Sequence, residues 1–157
     1  MAAVGTAAFL MVRQTAQVAN EIARQAQISN TSTDRFQRMA AAARTVGIEQ
    51  DKLADILKDV NDRVGDFLQT GGGPMADFFE NVAPRVVVTA DQFARLSGPE
   101  ALQLYVDTLE RAGLNQQEMT FYLEAMASDA TRLLPLLRNG GAEMARLGEQ
   151  AADLGAV

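Results

Sequence analysis

The chain has 157 residues, of which 48% are hydrophobic, and it carries a formal net charge of −6 at pH 7. It contains neither Cys nor His. The absence of Cys excludes disulfides, thiolate zinc sites and thiol nucleophiles from this chain. The absence of His removes the commonest general base and the commonest metal ligand.

The charge is unevenly distributed along the chain. Residues 1–48 carry five Arg against two acidic residues, so the acidic excess lies in residues 49–157. Nucleic-acid binding usually requires a basic face, so the acidic body predicts no stable nucleic-acid binding. The apolar run at residues 7–12 ends at Arg13, and it is far shorter than the about 20 residues that a membrane span requires. We therefore expect no membrane segment.

The first predicted helix covers residues 2–27 and carries a heptad stripe. Apolar or small residues recur there at alternating spacings of four and three: Val4, Ala8, Met11, Thr15, Val18 and Ile22. This spacing is typical of a coiled-coil strand that pairs with other copies, but also of an amphipathic helix that docks on its own domain. Under the first interpretation the self-association face is formed by Val4, Ala8, Met11, Val18 and Ile22, and the chain is a homo-oligomer.

A second helix is predicted at residues 33–46, with Phe36, Met39, Ala40 and Ala43 on one face and Gly47 at its C-terminal end. Together with the first helix it predicts an elongated helical arm over residues 1–48. The arm is expected to precede a separate bundle.

The clearest helical pattern lies at residues 50–69. Its apolar residues follow a 3.6-residue period: Leu53, Ile56, Leu57, Val60, Val64, Phe67 and Leu68. The opposite face carries five aspartates: Asp51, Asp55, Asp59, Asp62 and Asp66. A straight row of carboxylates cannot converge on Ca²⁺, so we expect a solvated acidic face and no metal site.

Short, well-punctuated helices follow. Pro74 is placed to start a helix at residues 75–82, and capping-box patterns begin at Thr89 and Asn115. Asp129 is expected to cap a leucine-rich helix that Pro135 bends or shortens. Residues 49–157 are therefore predicted to form a compact orthogonal bundle of short helices, and the fold class is all-α.

No residue pattern indicates catalysis. The glycines at 71–73 lack the Lys-Ser/Thr of a phosphate loop, and no pair of acids is singled out for glycoside cleavage. We therefore predict no enzymatic activity, no catalytic residue and no cofactor. Phe121 lies off the main apolar stripe of its helix, which makes it a candidate partner contact.

Three strings resemble the tail tape-measure proteins of lambda-like phages and prophages. They are AAARTVGIEQDKLADILKDVND at residues 41–62, SGPEALQLY at 97–105 and QEMTFYLEAMASD at 117–129. The resemblance covers roughly residues 32–148. It implies an internal fragment of a longer structural protein, of which several copies lie inside the growing tail tube and set its length.

The resemblance also implies partners and a location. The partners are other copies of the chain, tail tube subunits, tail tip proteins and tail assembly chaperones. The location is the lumen of the virion tail, and the host cytoplasm during assembly. An alternative, drawn from the helical pattern alone, is a small helical adaptor that binds a partner protein and has no ruler function.

Overall fold

A computed structural model describes residues 16–157 of the chain. Residues 16–28 are helical and are called α1. The other α-helices are α2 (Thr33–Arg44), α3 (Gln50–Thr70), α4 (Ala76–Asn81), α5 (Gly98–Arg111), α6 (Gln116–Met126), α7 (Leu134–Leu137) and α8 (Ala142–Asp153). Short 3₁₀ turns lie at Ala83–Val86, Ala90–Phe93, Ala130–Leu133 and Asn139–Gly141. The described part of the chain contains no strand, and the predicted all-α class is confirmed.

Helix α3 forms the centre of the core. Its apolar stripe buries Leu53, Ile56, Leu57 and Val60 almost completely, and it packs against α5 and α2. The left-handed Gly71 ends the helix and donates its N–H to the carbonyl of Phe67 at 2.8 Å. The 3.6-residue period therefore predicts the length of this helix and most of its buried face, whereas Leu68 near its end is exposed.

An aromatic cluster connects the short helix α4 to the rest of the core. The ring of Phe78 is fully buried and lies 4.4 Å from the ring of Tyr105, centroid to centroid. Phe93 meets Phe78 edge to face at 6.0 Å. Such contacts add stability beyond the burial of apolar area, so a helix of six residues is held firmly in place.

The predicted capping boxes at Asn115 and Thr89 are present, and Ser97 forms a third. Asn115 Oδ1 accepts from the Glu118 N–H at 2.9 Å, and Glu118 Oε1 accepts from the Asn115 N–H at 3.1 Å. The predicted cap at Asp129 is wrong. That residue is left-handed, with φ of 68°, and makes no side-chain cap, while Glu124 accepts the backbone N–H groups of Asp129 and Thr131. Pro135 occupies the start of the one-turn helix α7, where its missing N–H costs nothing.

The predicted boundary at residue 48 does not coincide with a break in packing. Phe36 is fully buried, and α2 packs mainly on α8, with further contacts to α3. Ile22 and Ala26 of α1 also belong to the same core. The stripe on α2 is covered by the most C-terminal helix, a contact that local spacing does not reveal. Residues 1–15 of the predicted arm lie outside the described residues, so its elongated shape stays a prediction.

Helix α1 is fixed to the start of α3 by a buried glutamine. Gln25 Nε2 donates to Asp51 Oδ1, and Gln25 Oε1 accepts from Gln50 Nε2. Gln25 is almost fully buried, so these bonds satisfy a polar side chain that would otherwise be costly to bury. The end of α1 is therefore oriented by specific contacts as well as by apolar burial.

Candidate interaction surfaces

The predicted self-association face is divided by the fold. Ile22 is 8% exposed and lies in the chain's own core, whereas Val18 is 51% exposed. Val4, Ala8 and Met11 lie outside the described residues. The C-terminal end of the heptad stripe thus docks on its own domain. Among the described members of this face, Val18 is the one that is exposed to solvent.

Phe121 is 61% exposed on α6, so it is placed as a partner contact requires. Its ring lies edge to face on Tyr122, with centroids 5.1 Å apart. The Tyr122 hydroxyl donates to the carboxylate of Asp77, and the Tyr105 hydroxyl donates to the Tyr122 carbonyl oxygen at 2.7 Å. An exposed aromatic ring is therefore mounted on a well-fixed part of the bundle.

The two tyrosines under this surface act as hydrogen-bond donors. Burial, with the hydrogen bond to Asp77 second, raises the pKa of Tyr122 to about 12. Burial also raises the pKa of the Tyr105 hydroxyl well above its usual value. Both phenols keep their protons near neutral pH, so neither is poised for general acid or base catalysis.

A shallow groove of about 340 Å³ lies between the end of α1, α3 and the turn before α5. It is lined mainly by apolar groups: Ile28, Asn30, Asn61, Val64, Gly65, Leu68, Phe93, Ala94 and Leu96. Ile28 and Leu68 are exposed, although Leu68 was predicted to face the core. The buried Nδ2 of Asn61 has no hydrogen-bond acceptor among the described residues. The groove was not predicted, because its walls come from three distant segments.

A second cavity, of about 310 Å³, lies between α2, α5 and α8. Met39, Leu137 and Met144 line it, and Arg35 and Arg38 border it. Arg38 pairs with Asp34 at 2.9 Å, and Arg35 lies 3.8 Å from Glu100. Because both guanidinium groups face nearby carboxylates, the cavity does not present a strong anion site.

The five aspartates of α3 lie along the surface of the helix. Within residues 16–157, no group of three or more Asp or Glu side chains is arranged to hold a metal ion. Lys58 Nζ pairs with Asp62 at 3.0 Å, and Lys52 Nζ pairs with Asp129 at 3.2 Å. Several members of the row are exposed, as a solvated acidic face requires.

The exposed Val87 is a feature that sequence reasoning missed. It is 83% exposed and adopts the left-handed conformation, with φ of 58°, which is strained for a β-branched residue. Val87 lies in the β-branched run of residues 86–88, directly after the 3₁₀ turn Ala83–Val86. An unpaired β-branched run was the available signal, but it does not specify a left-handed residue.

None of the described helices combines the length and apolar character of a membrane span. Comparisons with protein-family models, with curated proteins and with solved structures found no match.

Proposed function

We propose that this chain is a segment of a phage tail tape-measure protein, a structural protein that occupies the tail tube lumen during assembly and sets tail length. The observation that carries the proposal is the resemblance of the three strings at residues 41–62, 97–105 and 117–129. These strings fall on α2 and α3, on the start of α5 and on α6. Helix α3 contacts both α5 and α6, so the resemblance covers parts of one core.

The role we propose is mechanical and uses no catalytic residue or cofactor. The proposed partners are tube subunits, tip proteins and tail assembly chaperones. The proposed locations are the virion tail and the host cytoplasm. The net charge of −6 supports a place on the path of DNA, because an acidic surface does not hold phosphates. Among the described residues of the predicted self-association face, Val18 is the exposed one, and copies of the chain would associate through it along their N-terminal helices.

The length of the segment makes the proposal testable. A continuous α-helix rises about 1.5 Å per residue, so residues 49–157 would span roughly 160 Å if extended. The bundle would have to unfold into an extended helix for its residue count to set the tail length in this way. Deleting these residues in frame from the phage gene should shorten the tails by up to that length, as measured by electron microscopy. Deleting only residues 115–157 should shorten them by roughly 65 Å.

A matched control separates chain length from folding. Leu57→Asp places a charge in the centre of the core without changing the number of residues. A ruler predicts normal tail length for Leu57→Asp and shorter tails for both deletions. Normal tail length after the deletions would overturn the ruler role.

The second candidate is a small helical adaptor without ruler function. The exposed ring of Phe121 on a well-packed bundle favours it, because exposed aromatic residues are enriched at protein interfaces. An adaptor predicts that Leu57→Asp abolishes function as fully as the deletions do. The same set of variants therefore distinguishes the two candidates.

A further inference from the structure

The turn between α7 and α8 exposes an Asn-Gly pair. The chain has asparagine at positions 20, 30, 61, 81, 115 and 139, and only Asn139 is followed by glycine. Asn139 and Gly140 are both exposed in the 3₁₀ turn Asn139–Gly141. Asparagine is chemically labile in proteins, because the backbone nitrogen of the next residue can attack its amide carbon. A glycine in the next position hinders this attack least, since it has no Cβ atom.

The backbone nitrogen of Gly140 is accessible for this attack. In the described part of the chain no backbone carbonyl accepts its N–H, and a Cβ atom built on Gly140 would meet nothing within 4 Å. The Asn139 N–H donates to Glu110 Oε1 at 3.2 Å, which fixes the peptide group before Asn139. The attack requires rotation of the peptide group after Asn139. Exposed turns undergo such local opening at low free energy, and glycine accepts many backbone conformations.

We propose that Asn139 is a site of spontaneous deamidation in the folded chain. The Gly140 nitrogen forms a bond to Asn139 Cγ, and its proton leaves with the side-chain amide nitrogen as ammonia. Water then opens the resulting succinimide ring at either carbonyl carbon, which receives the hydroxyl, while the Gly140 nitrogen recovers a proton. Opening at Cγ gives an aspartyl residue at position 139. Opening at the main-chain carbon gives an isoaspartyl residue, whose backbone runs through the former side chain.

The modification acts on a turn that is fixed on both sides. Before the turn, Gln103 Nε2 donates to the Leu137 carbonyl at 2.8 Å. At its end Gly141 is buried, and a Cβ atom built there would collide with Gln103 Oε1. An isoaspartyl linkage adds one backbone atom between these fixed points. The turn must therefore distort, which lowers the stability of the connection between α7 and α8.

Both products also introduce a carboxylate at position 139. Asp107, Glu110 and Arg111 line a shallow cavity beside Asn139. The new carboxylate joins two others there, in the presence of the Arg111 guanidinium, and like charges at short range repel each other. Deamidation is therefore expected to weaken the fold through charge as well as through the backbone. The inference does not depend on the proposed tail function, because it concerns this turn and its neighbours alone.

The first test uses the unmodified full-length chain. The protein is kept folded at mildly alkaline pH, and its peptides are analysed by mass spectrometry at intervals for conversion of a side-chain amide to a carboxylic acid. Asn30 is the matched control within the same molecule. It is also exposed and left-handed, with φ of 56° against 55° for Asn139, but it is followed by Thr31. Deamidation should be at least several-fold faster at Asn139 than at Asn30, and equal rates overturn the proposal.

A variant provides the second test. Asn139→Gly removes the amide, and glycine suits the left-handed conformation at this position. Ion exchange should separate a more acidic form from the stored parent chain, and the stored variant should give several-fold less of it. Equal amounts would show that the reaction occurs elsewhere and overturn the proposal. The acidic form of the parent should also unfold at a lower urea concentration than the unmodified chain, and an unchanged midpoint would overturn the inferred effect on the fold.

Discussion

The carbonyl oxygen of Ser29 lies directly against the α-carbon of Gly98. A Cβ atom built on Gly98 would be 2.3 Å from this oxygen and 3.3 Å from Asn61 Nδ2. Since Ser29 follows α1 and Gly98 begins α5, the missing side chain lets the two segments approach. The closest approach involves backbone, which cannot rotate away as a flexible side chain could.

Gly98→Ala should therefore destabilise the protein by about 1–3 kcal/mol, the usual cost of inserting an atom into packed structure. Urea denaturation measures the change. Gly65→Ala is the matched control, because Gly65 lies inside α3 and a Cβ there has nothing within 4 Å. The control should gain about 0.5–1 kcal/mol, since Ala is the better helix former. Equal effects of the two substitutions would contradict the proposed contact.

Tyr105→Phe should destabilise the bundle by about 0.5–1.5 kcal/mol. The substitution keeps the buried ring and removes its hydrogen bond to the Tyr122 carbonyl, whose net contribution is in that range. Thermal unfolding followed by circular dichroism provides the measurement. A variant as stable as the parent would show that the hydroxyl contributes nothing to the contact between α5 and α6.

Phe121→Ala should change the free energy of unfolding by less than about 0.5 kcal/mol, because most of the ring is exposed. If Phe121 contacts a tail protein, the same substitution should lower the yield of complete tails counted by electron microscopy. Leu154→Ala is the control, since Leu154 is also exposed and apolar but lies after α8. Equal yields of complete tails for both variants would show that Phe121 is not a partner contact.

Glu100 should contribute to the loss of stability in acid. Its hydrogen bonds from Ser97, together with the charge of Arg35, hold the pKa of Glu100 below the ordinary 4.5. A carboxyl whose pKa is lowered by folding stabilises the protein above its unfolded pKa, and this contribution is lost as the pH falls through the lowered value.

Glu100→Gln should therefore flatten the decline of the urea midpoint below about pH 4.5, compared with the parent chain. Glu49→Gln is the control, because Glu49 occupies a helix N-cap without a side-chain cap hydrogen bond. An unchanged acid profile for Glu100→Gln would show that the Ser97 capping box does not contribute to the pH dependence.

Local patterns predicted α3 and the capped helix starts well. The period of α3 and the reciprocal bonds of Asn115 with Glu118 depend on residues a few positions apart, so the sequence contains the whole interaction. The same holds for Pro135, which begins α7.

Contacts between distant segments were not predictable in this way. The stripe on α2 was recognised, but its partner α8 lies about a hundred residues further along the chain. The groove that includes Ile28 and Phe93 likewise requires knowledge of how three segments pack. For the candidate site, exposure of Phe121 followed from its place off the stripe, whereas burial of Ile22 depended on tertiary packing.

The arrangement of the two tyrosines has an optical consequence. The chain has no Trp, so its near-ultraviolet absorption and fluorescence are dominated by Tyr105 and Tyr122. One hydroxyl is bonded to the backbone of α6 and the other to the carboxylate of Asp77. Both chromophores therefore report on the same contact between α4, α5 and α6. Opening of this contact can therefore be followed by tyrosine emission without a label.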